Sequence, residues 1–266
     1  MSTPARDLSQ AIRETLLTGD PRAKVKATRL LVREWRAGRL AHGFSAEMPE
    51  RPCWPESLQL LPPSQMPKRR TGGSEAKRIA LWHALAHIEF VAIDLALDLV
   101  GRFGGAMDRE FAADFLAVAA DEAMHFALLN RKLASMGAAY GDLPAHDGLW
   151  QAASDTRSDV AARLAVVPMV LEARGLDVTP ATLERVRSQG DENGARILER
   201  ILDDEIRHVA MGSKHFSRIC VARREIPKKA WKRFVKQHFR GSLKPPFNDS
   251  ARESAGLPRE YYAALA

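Results

Sequence analysis

The amino-acid sequence predicts an all-α protein: a four-helix bundle, preceded by a helical and proline-rich extension and followed by a basic C-terminal helix. Hydrophobic residues make up 45% of the chain and charged residues 27%, which is typical of a globular protein. Aromatic residues are only 7%, and the abundant alanine and leucine favour helix. No segment shows the two-residue alternation of a half-buried strand, whereas four segments have the lengths of bundle helices, about 20–30 residues.

Cysteine content and the lack of long apolar runs exclude several classes of protein. Cys53 and Cys220 lie far apart in the sequence and are its two cysteines. This argues against a disulfide scaffold, a four-cysteine zinc site and a cysteine-bound iron–sulfur cluster. The N-terminus lacks the apolar core of a signal peptide, and no run approaches the ~18 uncharged apolar residues of a spanning helix. We therefore expect a soluble cytoplasmic protein without membrane insertion.

Residues 1–73 are expected to form an extension outside the bundle. Two short charged helices are predicted at 7–18 and 21–38, and the second starts at Asp20-Pro21, a capping residue followed by proline at the first helical position. Residues 41–73 carry six prolines and end in Lys68-Arg69-Arg70-Thr71-Gly72-Gly73. This composition predicts an extended strap or linker.

The bundle is assigned to residues 74–222. Its four main helices are predicted at 75–102, 109–136, 156–175 and 192–223. Ser74, Asp108 and Asp155 are the expected N-cap residues, because side chains of this kind accept hydrogen bonds from the first helical turn.

Breaker residues are expected to interrupt the third segment of the bundle. Pro168 lies inside the predicted helix and should kink it. Gly175 is expected to end that helix. A separate short helix is then predicted between Thr179-Pro180 and Gly190.

Two of the bundle helices carry the same Glu-x-x-His pattern. The second helix has Glu122 and His125, and the fourth has Glu205 and His208. Residues three apart are about 300° apart around a helix, so both side chains of each pair point to one side and can hold one metal ion.

The other two bundle helices each place a glutamate on an apolar stripe, where a carboxylate is not expected. These are Glu89 in the first helix and Glu172 in the third. The spacing repeats: Glu89 precedes Glu122 by 33 residues, and Glu172 precedes Glu205 by 33 residues. The chain is therefore predicted to contain two helical hairpins of one design, each offering Glu and then Glu-x-x-His.

Four buried carboxylates need compensation, because an uncompensated buried charge costs several kcal/mol. Two divalent cations would supply four positive charges, and the two histidines would complete the coordination. Mixed oxygen and nitrogen ligands suit iron or manganese. We therefore predict two iron ions, with manganese or a mixed iron–manganese pair as the alternative. The predicted ligands are Glu89, Glu122, His125, Glu172, Glu205 and His208.

Over residues 75–215, this pattern resembles the ferritin-like superfamily, which places these ligands in a four-helix bundle. The segment Asp204-Glu205-Ile206-Arg207-His208 is similar to the Asp-Glu-x-Arg-His block of di-iron oxygenases. The resemblance implies that Asp121 and Asp204 accept hydrogen bonds from the ligand histidines and orient them, with Arg207 beside them.

A narrower resemblance is to an uncharacterised bacterial ferritin-like family. The matching blocks are HALAHIE (83–89), LPAHDGLW (143–150), LEARGLDVTP (171–180) and LKPPFN (243–248). This family brings no known reaction. Among characterised relatives, the tRNA hydroxylase that acts on methylthio-isopentenyl-adenosine is similar in ligand pattern.

The ligand pattern favours a di-iron oxygenase that hydroxylates or oxidises an unknown organic substrate, for which a modified tRNA nucleoside is one candidate. Its electrons would come from an external reductase, because the chain has no flavin fingerprint and no iron–sulfur cysteines. Iron handling by a ferroxidase and peroxide disproportionation at manganese are the alternatives. A radical-generating subunit is disfavoured, because none of the tyrosines (Tyr140, Tyr261 and Tyr262) lies on a predicted ligand helix at the height of the metals.

Two regions outside the ligand helices are candidate contact surfaces. In the connection 138–154, His146 and Trp150 are expected either to contact substrate or to belong to an ordinary loop. The C-terminal segment, 223–266, opens with a basic helix whose cations surround an apolar stripe; those singled out are Lys229, Lys232 and Arg233.

Between His215 and Lys244, ten basic residues face one acid. The basic helix is expected to dock on the bundle and expose its charges. Binding of RNA or a nucleotide, including a non-enzymatic RNA-binding role for the whole protein, and contact with a membrane surface are the alternatives. Homo-oligomerisation is left open.

Overall fold

The computed structural model describes residues 6–62, 65–66 and 74–265. Within these residues the protein is all-helical, with two isolated β-bridges and no strand, so the predicted all-α class is confirmed. None of the described helices is both long and apolar enough to span a bilayer. The chain forms two compact units, 1–150 and 151–266, which are described separately. The sequence-based division at residues 73 and 222 stays a prediction.

Unit 1 is built on a helical hairpin. Its helices are α1 (Leu8–Leu16), α2 (Pro21–Arg36), α3 (Glu75–Phe103) and α4 (Arg109–Ser135), with one 3-10 turn at Gly104–Ala106. The long helices α3 and α4 pack along each other, α1 packs on α3, and α2 packs on α4. All four helices were predicted from the sequence to within two residues at each end.

N-terminal caps fix where the helices of unit 1 begin. Asp20 and Asp108 accept hydrogen bonds from the first turns of α2 and α4, as predicted. Ser74 precedes α3 but makes no side-chain cap. Asp7 caps α1 through the Gln10 amide at 2.8 Å.

We expect Asp7→Ala to destabilise the protein by about 1–2 kcal/mol, the upper range for loss of an N-cap. Burial raises the pKa of Asp7, but hydrogen bonds from Ser45, Gln10 and Ser9 outweigh it and lower the pKa to about 2. Because the folded-state pKa is lowered, this stability is present above the ordinary value of 3.8 and is lost as pH falls towards 2. Urea unfolding at pH 7 and pH 3 measures both effects. A difference from wild type that persists unchanged at pH 3 would contradict the assignment.

Residues 41–62 of the proline-rich segment contain no helix and no strand. The Cys53 amide donates to the Leu16 carbonyl at 2.9 Å, and Leu60 pairs with Ala145 in a β-bridge. The strap expected here stays a prediction, and Lys68–Gly73 lies outside the described residues.

A buried ion pair joins α2 to α3. The Lys24 ammonium lies 2.6 Å from Asp94 Oδ1, and both side chains are fully buried. Asp94 Oδ2 accepts a hydrogen bond from the Trp54 indole at 2.8 Å. The pair therefore ties the strap and α2 to the middle of α3.

Unit 2 holds the second set of helices. These are α6 (Val160–Val166), a π-helical segment (Val167–Glu172), α7 (Ala173–Ser188), α8 (Glu192–Ala222), α9 (Pro227–His238) and α10 (Asp249–Ser254). The short helix α5 (Gly148–Asp155) spans the boundary between the units, in the segment predicted as a loop.

The start predicted for the third bundle helix is wrong. Asp155 ends α5, and the N-cap of α6 is Asp159, whose side chain accepts from the Ala161 amide at 2.8 Å. The kink expected at Pro168 takes the form of the π-helical segment.

The predicted end at Gly175 and the separate helix after Pro180 are also wrong, because α7 runs through both. Proline cannot donate to the carbonyl four residues earlier, which belongs to Leu176. The Asn248 side-chain amide donates to that carbonyl at 3.2 Å. A distant side chain thus replaces the missing donor and lets the helix continue.

The C-terminal segment of unit 2 packs onto its core. Trp231, Phe234 and Val235 are buried, and the Trp231 indole donates to the Ala165 carbonyl at 3.2 Å. The predicted docking of the basic helix is therefore confirmed. Arg252 forms a buried ion pair with Asp177, which fixes α10 against α7.

Candidate metal centre

Three predicted ligands of unit 1 meet inside the α3–α4 hairpin. Glu89 projects from α3, and Glu122 and His125 project from one side of α4; we call these residues the triad. Their exposed fractions are 5%, 0% and 0%. One ligand atom of each lies within 4.8 Å of the others. The structure thus brings these three residues together, and their role as metal ligands stays a prediction.

The triad distances fit ligands of one metal ion. His125 Nδ1 lies 3.1 Å from Glu89 Oε2 and 3.3 Å from Glu122 Oε2. Adjacent ligands of an octahedral ion with bonds of about 2.1 Å lie about 3.0 Å apart. The oxygen, oxygen and nitrogen donors match the preferences of iron and manganese.

The electrostatics of the triad favour a cation. Burial and the neighbouring Glu122 carboxylate raise the pKa of Glu89 well above its ordinary value, while His125 opposes the rise. Two carboxylates in such a position repel each other and are poorly solvated. A divalent ion placed among the three donors would remove both penalties.

The second Glu-x-x-His pair lies on α8 of unit 2. Glu205 is 8% exposed and His208 is 1% exposed, with His208 Nδ1 3.6 Å from Glu205 Oε1. Next to them, Asp204 accepts from Arg200 at 2.7 Å and from Arg207. These arginines compensate the buried charge of Asp204. A role of Asp204 or of the half-buried Asp121 in orienting a ligand histidine stays a prediction.

Glu172 ends the π-helical segment and is half-buried. An extra residue in a helical turn rotates every side chain that follows it relative to a regular α-helix, and such segments are frequent at functional sites. The segment packs against α8 at Gly212, where an added Cβ would lie 2.5 Å from Pro168 Cβ. A glycine on α8 therefore allows the geometry that positions Glu172.

A buried aromatic and histidine network lies on another side of α3. His87 Nδ1 is 2.9 Å from the Tyr140 hydroxyl, and Nε2 is 3.1 Å from the His146 carbonyl. Burial lowers the pKa of His87 to about 4, so the ring is neutral at pH 7. Tyr140 stacks on His83 and contacts Phe90. His87 therefore has a hydrogen-bonding role in the interior of unit 1.

The pairing of His87 with Tyr140 was not predicted from the sequence. The available signal was the spacing of His83 and His87, four residues apart on a helical side away from Glu89. Such a pair on a buried helix needs polar partners from elsewhere in the chain.

The candidate contact residues have different environments. Trp150 is 4% exposed, and its indole donates to the Glu50 carbonyl at 3.3 Å, so it belongs to the core of unit 1. The half-buried His146 accepts from the Gly148 amide at 3.1 Å. On α9, Lys229 and Arg233 are exposed and Lys232 is half-buried. Substrate contact by these residues stays a prediction.

Comparison with known proteins gives a family but no reaction. The sequence model of the family described as "Protein of unknown function (DUF455)" matches residues 17–263. An "Uncharacterized protein" of Haemophilus influenzae strain Rd is 39% identical over 211 residues, which cover 77% of this chain and 73% of that protein. No solved structure gives a significant match. Inference about chemistry therefore depends on the residues of the centre.

Proposed function

Because the chain belongs to the DUF455 family, whose description names no reaction, we propose a function from its own residues: a di-metal carboxylate protein that activates oxygen and oxidises an organic substrate. The observation that carries this proposal is the buried triad, with its two carboxylates and one histidine at ligand distances. We propose that the two metals are iron ions. When bound, they would supply the binding and reduction of oxygen that drive hydroxylation or oxidation.

The second half of the proposed centre rests on the repeat in the sequence. Glu172, Glu205 and His208 follow the same order and the same 33-residue spacing as the triad. Glu205 and His208 are buried on one side of α8, as ligands of an enclosed site would be. In this proposal His125 and His208 would serve one ion each, and the four glutamates would supply the carboxylate ligands. A ferritin-like arrangement of all six residues is part of this proposal.

The protein residues have three tasks in this function. The four carboxylates hold the ions and balance their charge. The two histidines are neutral nitrogen ligands, which requires that each ring be fixed by a partner on its other nitrogen. The triad residues are at most 5% exposed, so bulk water is excluded from them. In this proposal the electrons come from an external reductase, because the two cysteines of the chain are too few to hold an iron–sulfur cluster.

The test is the metal content of the purified protein, followed by anaerobic loading with ferrous ion and exposure to oxygen in a spectrometer. We expect two irons per chain and a transient visible absorption. Glu122→Ala and His208→Ala should each lose at least one metal per chain. Glu184→Ala, which removes an exposed glutamate of α7, is the matched control and should keep both.

Folding and metal binding can be separated in this experiment. Glu122→Gln keeps the volume of the side chain but removes its charge, and helicity is recorded by circular dichroism for each variant. Folded Glu122 and His208 variants that keep two metals and wild-type spectra would overturn the ligand assignment. Two manganese ions with turnover of peroxide would replace oxygen activation by peroxide disproportionation.

A further inference from the structure

The exposed side of α9 forms a shallow basic cleft. Its volume is about 540 Å³, and it is lined by Lys229, Lys232, Arg233, Lys236 and Gln237. Four cations and one amide face the same space, and the lining contains no acidic side chain. This composition suits an anion.

The three lysines of the cleft are not neutralised by neighbours. Arg233 pairs with Glu225 at 2.5 Å, and Lys228, outside the cleft, pairs with Glu260 at 3.0 Å. Lys229, Lys232 and Lys236 have no ion pair within the described part of the chain. Their charges are therefore available to a ligand.

The spacing of the lysines indicates an extended ligand. They stand at positions i, i+3 and i+7, so they lie on one face of α9 over about 10 Å of helix length. A single phosphate can meet one or two of them, whereas a chain of phosphates can meet all three. We propose that this cleft binds the phosphodiester backbone of a nucleic acid strand, through phosphate contacts without recognition of bases.

The packing of α9 disfavours a membrane surface as the partner. A helix that lies in a bilayer interface inserts an apolar face between the lipids. The apolar side of α9, formed by Trp231, Phe234 and Val235, is buried against the core of unit 2. The side that remains accessible is the cationic one.

The chain contains a matched control on another helix. Lys26, Arg29 and Arg33 are exposed on α2 with the same i, i+3, i+7 spacing. Glu34, which follows Arg33, forms its ion pair with Arg39. Comparing the two helices separates binding at the cleft from general attraction of a basic protein to a polyanion.

The experiment measures binding of a labelled 20-nucleotide single-stranded RNA by fluorescence anisotropy at several salt concentrations. For three phosphate contacts, the slope of log K against log salt should be about −2, since single strands give about −0.7 per contact. Lys229→Glu, Lys232→Glu and Lys236→Glu combined should weaken binding at least tenfold and flatten the slope. The Lys26→Glu, Arg29→Glu and Arg33→Glu combination should change affinity less than threefold.

A charge-conserving variant and a comparison of ligands complete the RNA-binding experiment. Replacing the three lysines of the cleft with arginine keeps the charge and should preserve binding, provided that circular dichroism shows a folded chain. Equal losses from the α9 and α2 combinations would overturn the assignment to the cleft. Binding to vesicles that contain phosphatidylserine, with no binding to RNA or to single-stranded DNA of the same sequence, would overturn nucleic acid as the ligand. Metal content is measured on the same samples, so a failure of the proposed metal centre is distinguished from a failure of the cleft.

Discussion

Lys24→Met is expected to lower the free energy of unfolding by about 3–5 kcal/mol, the usual cost of removing one partner of a buried ion pair. The substitution leaves the fully buried Asp94 carboxylate with a hydrogen bond from the Trp54 indole but without its cation. It also removes the hydrogen bond from Lys24 to the Cys53 carbonyl at 3.0 Å. Urea unfolding followed by fluorescence and circular dichroism measures the loss.

Two controls distinguish the buried charge from other effects. Lys26→Met, at an exposed position of the same helix, should change stability by less than about 0.5 kcal/mol. The double variant Lys24→Met with Asp94→Leu removes both charges and should recover most of the loss. If the double variant is no more stable than Lys24→Met alone, the buried charge is not the cause.

The loss of stability caused by Lys24→Met should also depend on pH. Burial raises the pKa of Asp94, and Lys24 opposes this rise. Without Lys24 the folded-state pKa rises further, so the variant binds a proton more tightly when folded than when unfolded. The difference in free energy of unfolding between wild type and Lys24→Met should therefore be small near pH 4 and should grow as pH increases to 7. Below about pH 4 the Asp94 carboxyl is protonated in the unfolded chain as well.

Gly212→Ala is expected to disturb the π-helical segment and to lower the metal content of the protein by about one ion per chain. The new Cβ would lie 2.5 Å from Pro168 Cβ and 2.6 Å from its Cγ, so one helix must shift. Overpacking of this kind costs about 1–3 kcal/mol. The shift would move Glu172, which ends the segment four residues after Pro168. Thermal melting and metal analysis of the same sample give both quantities.

Gly175→Ala is the matched control for this substitution. An added Cβ at Gly175 meets no atom within 4 Å, and the residue lies inside α7. Replacing glycine by alanine there should stabilise the protein by up to about 1 kcal/mol and leave the metal content unchanged. A Gly212 variant with two metals and wild-type stability would show that the contact with Pro168 is relieved without moving Glu172.

The unit 1 part of the site could be predicted from the sequence because its signals are local. Glu122 and His125 are three residues apart on one helix, and Glu89 interrupts an otherwise apolar stripe. Helical periodicity alone then places the three side chains on the facing sides of a hairpin. The structure brings them together within a few ångströms.

The third bundle segment could not be predicted in the same way, because distant residues decide its geometry. The π-helical turn at Pro168 depends on a glycine 44 positions later, Gly212. The helix continues past Pro180 because Asn248, 68 positions later, supplies the missing donor. Local propensity at Gly175 and Pro180 favours a helix end, and tertiary hydrogen bonding overrides it.

The contact between Asn248 and the Leu176 carbonyl has a consequence for the order of events during synthesis. Ribosomes deliver the chain from its N-terminus, and α7 emerges long before Asn248 and Arg252 are added. Until then the Leu176 carbonyl and the Asp177 carboxylate lack the partners that the finished protein gives them. Unit 1 can form its hairpin while translation continues, whereas unit 2 gains these contacts of α7 only after Asn248 and Arg252 have been made.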